Sequence, residues 1–139
     1  MEESCKNEVF DLHRFFEQWF KAEIEYSDEI YSRLENVLND KFMLIMPTGE
    51  HTFRKELLTQ LRDGYGSRKD SKDSYRLWVQ NVNCRLIENN MCLVTYEEWA
   101  EINDRVNARI SSALFRKKEK TKFGVEWIHV HETLIPTKK

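Results

Sequence analysis

Three charged side chains in the second half of the chain carry most of the chemistry that the sequence offers: Glu97, Arg109 and Glu132. Each stands in a run that alternates with a period of two, so each belongs to a definable face of a β-strand. Glu97 shares its face with Met91, Leu93, Thr95 and Trp99, Arg109 with Asn107, Ser111, Ala113 and Phe115, and Glu132 with Ile128, Val130 and Leu134. An arginine and two glutamates on largely apolar faces have two uses. The arginine can close an ion pair that ties strands together, because a lone buried charge is costly. Alternatively it can hold a ligand carboxylate or other anionic group bidentately, while a glutamate with its pKa raised by burial acts as general acid or base. Trp78 and Trp99 would supply apolar walls to such a site, and His51 and Tyr65, which flank the third predicted helix, are lesser candidates for its mouth.

Other reactive side chains offer less. His129 and His131 point two imidazoles the same way from one strand, but zinc needs a third ligand of the right type and the sequence signals none, so no metal site is expected. Cys5, Cys84 and Cys92 stand at no metal-ligand spacing and read as reduced intracellular thiols. His13 reads as an exposed histidine on a helix.

The elements that must position these residues fall into two halves. Four long strands are predicted at Tyr75 to Glu88, Met91 to Glu101, Arg105 to Lys117 and Phe123 to Ile135. Asn89-Asn90 suits a two-residue hairpin, since asparagine tolerates positive φ. In the first of these strands Trp78, Val82, Cys84 and Leu86 share one face, and Asn81, Asn83 and Arg85 the other. Ahead of the strands, a helix from Asn7 to Glu25 carries an aromatic stripe of Phe15, Phe16, Trp19 and Phe20. Ser27 or Asp28 can cap a second helix from Glu29 to Leu38. Lys41 to Met46 is strand-like and ends at Pro47-Thr48-Gly49; Thr52 is placed to cap a third helix from Phe53 to Arg62. Ser67 to Ser74 is a charged loop without an apolar residue. The class is α+β, with three helices covering one face of a mainly antiparallel sheet. At 139 residues the chain is expected to be one domain over 1–139, with 1–6 flexible and 136–139 a tail.

No strand has a wholly polar face, whereas an antiparallel sheet with one solvated side should alternate cleanly. The helices can cover only one side. A second copy of the chain is the economical cover for the other, with Val94, Tyr96, Ile110, Leu114, Trp127 and His129 in a sheet-to-sheet dimer interface.

Lysine and arginine number 22 against 24 acidic residues, a net charge of −2, which gives no footprint for nucleic acid or an anionic membrane. No apolar run approaches a membrane span, and the acidic, polar Met1 to Glu8 is unlike a signal peptide, so a cytoplasmic protein without cofactor is expected.

Three helices, a short strand between the second and third, and four long strands resemble the nuclear transport factor 2-like cone fold. Phe123 to Ile135 looks like the final strand of its SnoaL-like and ketosteroid-isomerase-like branch. Trp127, Val130 and His131 bring it nearest to the association domain of the calmodulin-dependent kinases, and Asn107 to Arg116 resembles the preceding strand. The resemblance implies a strongly curved sheet forming a cone with an internal pocket, and a dimer through the convex face. Carried over, it places Thr95, Glu97, Trp99, Arg109, Ser111, Ile128, Val130, Glu132 and Leu134 inward and turns His129 and His131 outward. It also argues against steroid isomerisation, because the catalytic aspartate of those isomerases falls at Met46, before Pro47. Two readings follow. One is a homodimeric module whose pocket binds a small carboxylate or apolar ligand. The other is a lyase, isomerase or hydrolase using Glu97 or Glu132 as general acid or base.

Overall fold

The computed structural model describes residues 1–71 and 74–136; part of the expected loop at Ser67 to Ser74 and most of the expected tail lie outside the described residues. Helix α1 spans Glu2–Phe20, starting before the predicted Asn7, and Cys5 is fully buried rather than part of a loose N-terminal segment. The helix stops earlier than predicted because Ala22 turns to φ 57°. Its last carbonyls are taken from outside: the Gly66 and Arg68 N–H groups donate to Trp19 O (3.1 Å) and Phe20 O (2.8 Å).

Ser27 caps α2 (Asp28–Val37) by accepting from the Ile30 N–H at 3.1 Å. The chain becomes extended at Leu38 and enters β1 (Leu38–Ile45) directly. A short strand absent from the sequence reading, β2 (His51–Phe53), pairs with β1 and buries Thr52. Thr52 is therefore not the cap of α3 (Arg54–Asp63), whose first turn follows Phe53 with no side-chain cap, and Phe53 is exposed rather than inward.

The four long strands are β3 (Tyr75–Glu88), β4 (Met91–Ile102), β5 (Arg105–Lys117) and β6 (Val125–Ile135). They close as hairpins at Asn89 (φ 55°) and at Asn103 and Asp104 (φ 51° and 68°). The sheet has six strands in the order β2-β1-β6-β5-β4-β3, antiparallel except where β1 runs parallel to β6. It is curved and open, not a closed barrel, and the three helices pack in its concavity.

Two of the sheet's bulges set which side chains near the cavity enter that concavity; a further one in β3 lies at Cys84–Leu86. Between the pairs Gln80–Glu97 and Asn83–Thr95 β3 carries one residue more than β4, with Asn81 at φ 55°. In β6 the pairs Leu114–His129 and Phe115–Trp127 leave Ile128 as the extra residue. A bulge reverses the alternation beyond it. Trp127 therefore turns inward while His129 turns outward, although strict alternation puts both on one face.

The inward turn of Trp127 completes a polar clamp inside the apolar core. Glu8 of α1 is fully buried. Its carboxylate accepts from Arg33 of α2 at 3.1 and 2.9 Å and from the Trp127 indole N–H at 2.7 Å. Arg33 also donates to Asp11 at 3.0 Å, and Lys122 reaches the same carboxylate at 3.2 Å. Burial pushes the Glu8 carboxyl up from its ordinary range in spite of Arg33. Removing the guanidinium would leave an acid with no cationic partner in the core. Arg33→Met should cost roughly 3–5 kcal/mol near neutral pH and less in acid, where Glu8 is protonated; adding Glu8→Gln should recover part of it. Urea denaturation of the three variants at two pH values measures this.

Candidate functional site

A cavity of about 330 Å³ lies between the three helices and the concave sheet. That is at the small end of the range of roughly 300–1,000 Å³ usual for small-molecule sites. Leu12, Phe16 and Phe20 of α1, Leu57 and Leu61 of α3, and Leu77, Ala100, Trp127 and Val130 of the sheet make most of its wall apolar. One stretch of wall is charged, built from His13, Glu98, Arg109 and Glu132. Register explains the cluster: Glu98 lies opposite Arg109, and Ser111 opposite Glu132, so the three charged sheet residues occupy adjoining positions on the concave face.

The four groups pair internally. His13 Nδ1 lies 2.8 Å from the Val9 carbonyl oxygen, which can only accept, so Nδ1 carries a proton. Nε2 lies 2.9 Å from Glu98 Oε1, and the pair holds one further proton between them. Burial disfavours charge on His13, but the hydrogen bond and the charge of Glu98 outweigh it and raise the imidazole pKa. Burial likewise pushes Glu98 up, and His13 more than reverses this, leaving it lowered. Between the lowered carboxyl pKa and the raised imidazole pKa the dyad is therefore an imidazolium–carboxylate pair. Arg109 Nη1 donates to Glu132 Oε1 at 2.8 Å. Even so, burial first and the charge of Glu98 second raise the Glu132 pKa. The Arg109 side chain is 32% exposed against 8% for Glu132, so Arg109 is the member that a solute reaches first. Arg68, on the segment that caps α1, also lines the cavity, with its guanidinium 5.6 Å from the Tyr75 ring centre.

Of the residues predicted for the pocket, Arg109 and Glu132 line it, and Ser111 lies on the same face, fully covered, with its Oγ unpartnered among the described residues. Trp78, Thr95, Glu97 and Trp99 do not: they stand on the convex face. There Trp78 and Trp99 stack at 6.2 Å, and Thr95 accepts from Arg85 at 2.8 Å. Glu97 accepts from Asn81 at 2.8 Å, Trp99 at 2.9 Å and Gln80 at 3.2 Å; these bonds lower its pKa, the opposite of what a general acid needs.

The expected dimer face is corrected in the same way. Val94, Tyr96 and Trp127 are buried on the concave side, whereas Ile110, Leu114 and His129 do face outward. His13, expected on the surface, is 3% exposed. His13, Glu98, Tyr96 and Arg68 were missed as site residues. A signal existed for His13: it follows Val9 by four residues, which sets it beside the apolar stripe. His51 is exposed, and Tyr65 packs edge-on against Trp19 instead of lining the mouth. Among the described residues no group of three or more His, Cys, Asp or Glu side chains is arranged to hold a metal ion. Cys5, Cys84 and Cys92 are free thiols, the last two with sulfurs 3.4 Å apart.

The family model described as "Sucrose-6-phosphate phosphohydrolase C-terminal" matches residues 5–136. Sucrose-phosphatase 2 of Nicotiana tabacum is 28% identical over 129 residues, 92% of this chain but 30% of its own length. Probable sucrose-phosphatase 3a of Arabidopsis thaliana is 24% identical, with 93% and 30% covered. The chain thus spans about 30% of the length of these curated relatives. Among solved structures, an NTF-2-like protein of unknown function from Pseudomonas aeruginosa superposes with a TM-score of 0.82 at 15% identity, covering 96% of this chain and 99% of that one. The association domain of CaMKII from C. elegans gives 0.61 at 16% identity, with 95% and 97% covered. These likenesses establish the nuclear transport factor 2-like fold and the similarity to the association domains. No helix among the described residues is long and apolar enough to cross a membrane.

The His13–Glu98 pair has a defined pH window. A raised histidine pKa gives stability that is full below its ordinary 6.5 and lost as pH rises through the folded value. A lowered glutamate pKa gives stability that is full above its ordinary 4.5 and lost as pH falls through the folded value. The stability difference between wild type and Glu98→Gln should therefore peak between 4.5 and 6.5 and shrink on either side. An NMR titration should place the His13 midpoint above 6.5 in wild type and lower in the variant.

Proposed function

Since the chain belongs to the family of sucrose-6-phosphate phosphohydrolase C-terminal domains, we propose that it is a homodimeric, non-catalytic module that binds a small molecule between its helices and its concave sheet. The observation that carries this reading is the state of the charged wall. His13 with Glu98 and Arg109 with Glu132 satisfy one another, while the apolar remainder of a 330 Å³ cavity is shaped to enclose a compact body. A paired wall of this kind recognises and orients a ligand through the unused donors of Arg109. Residues 1–139 form one such domain in this reading, an accessory unit of cytoplasmic sugar-phosphate metabolism in keeping with the names of its relatives.

The enzymatic alternative, a lyase, isomerase or hydrolase, has one observation in its favour: the Glu132 carboxyl faces the cavity with a raised pKa. Its acid–base pair would be Glu132 and Glu98, not Glu97.

Self-association would use the convex face of β4 and β5, where Ile110 is 47% exposed and Leu114 lies between Leu93 and His129 across the sheet. The apolar half of the convex face is the half that a second copy would cover.

Two measurements test the proposal. Ala100 lies on the cavity wall. An apolar fluorescent probe should bind once per chain, and Ala100→Phe should abolish that binding without unfolding the protein; no binding to wild type would refute the ligand site. Ile110→Glu should convert dimer to monomer in light scattering, and an unchanged mass would refute the convex-face interface.

A further inference from the structure

We infer that the cavity takes an amphipathic carboxylate, its head held by Arg68 and Arg109 at the open end and its hydrocarbon body among the buried leucines and aromatic rings, and that it rejects sucrose and sucrose 6-phosphate. The inference rests on the reading of the cavity as a ligand site and adds the class and orientation of the ligand.

Orientation follows from the gradient of exposure along the wall. Asn107 is exposed, Arg68 is half-buried and Arg109 is 32% exposed, which marks the open end. Leu34, Phe42, Trp127 and Val130 are each 4% exposed or less and mark the closed end. Polar donors and apolar surface are thus separated along the cavity, as an amphipathic solute requires.

Charge fixes the sign of the head. The His13–Glu98 and Arg109–Glu132 pairs each sum to zero, and Arg68 has no carboxylate partner among the described residues. Among the described residues, Arg68 is therefore the one cation of the wall that no carboxylate neutralises. Arg109 spends one N–H on Glu132 and keeps the rest of its fork for a second acceptor.

The same accounting argues against a sugar. Every hydroxyl buried without a partner is costly, and most polar groups at the closed end are already committed, His13 to Val9 and Glu98 and Trp127 to Glu8, which leaves the Tyr96 hydroxyl to face the many hydroxyls of a sugar. The leucine and phenylalanine wall offers a disaccharide nothing to bond. Family membership alone would suggest a sugar phosphate; the lining of this cavity points to a different molecule, an effector rather than the substrate named in the relatives.

Isothermal titration of the 139-residue chain with butanoate, hexanoate, octanoate and phenylacetate, and with octan-1-ol, sucrose and sucrose 6-phosphate, tests this. At least one carboxylate should bind with unit stoichiometry, and Ala100→Phe should abolish it. Arg68→Met and the Arg109→Met/Glu132→Gln pair, which leaves no unpaired buried carboxylate, should each weaken it by roughly ten- to a hundredfold. Octan-1-ol should bind more weakly than octanoate, and neither sucrose nor sucrose 6-phosphate should displace the apolar probe. Glu132→Gln alone, which removes a negative charge beside Arg109, should retain or tighten carboxylate binding. If the probe enters the cavity but no carboxylate does, the ligand class is wrong and the site stands. If neither enters, the site itself is refuted. Displacement of the probe by sucrose 6-phosphate, or carboxylate affinity unchanged in both arginine variants, would overturn the inference.

Discussion

The hydrogen bond from the Trp127 indole to the buried Glu8 carboxylate fixes the relation between the two halves of the molecule. Glu8 belongs to α1, Trp127 to the central strand β6, and Arg33, which closes the pair from the other side, to α2. None of the three groups is tolerable in the core alone, since a buried acid without its donors pays its full desolvation cost. The geometry they share is therefore narrowly determined. Apolar packing sets how close α1 lies to the sheet, but it is indifferent to sliding; the clamp is not. It sets the height and rotation of α1, and one and a half turns further along the same helix His13 meets Glu98 on β4.

Charge pairing inside the cavity obeys the same rule with a different outcome. At Glu8 both carboxylate oxygens are bonded within the protein, and the network is structural. At the cavity, Glu98 and His13 satisfy one another, but Arg109 faces both Glu132 and open space. A guanidinium bonded on one edge and free on the other is stable without ligand and needs little rearrangement to accept one. Glu132 is the compliant member, because burial and the neighbouring Glu98 charge already lift its pKa. In the proposed reading, a ligand carboxylate would meet the free edge of Arg109 while the other edge stays on Glu132.

The periodicities told most of the fold. Helix, strand and hairpin placement followed from apolar spacing and from asparagine at the turns, and the shared faces of β5, with Arg109, Ser111, Ala113 and Phe115 together, came out as read. Face assignment failed where a bulge intervenes. Asn81 at positive φ and the extra Ile128 each shift the alternation by one, and neither leaves a proline or glycine to mark it. On β4, which is regular, the choice between Thr95–Glu97–Trp99 and Val94–Tyr96–Glu98 was a choice between two faces of similar hydropathy, and the resemblance chose the wrong one. His13 and Glu98 were hidden for a related reason. A charged residue announces itself as buried only through its partner, and these two lie 85 positions apart in the chain.

The two faces of the sheet have different logics that make separate roles compatible. The convex side of β3 and β4 is tied up in its own polar lattice, with Glu97 at the centre of three hydrogen bonds and Trp78 stacked on Trp99. The convex side of β5 exposes Ile110, away from the Arg116–Glu126 pair at its far end. The strand that presents Ile110 outward also presents Arg109 inward, one residue away. In the proposed reading, a ligand held by Arg109 and a second copy laid on Ile110 would therefore bear on neighbouring residues of one strand.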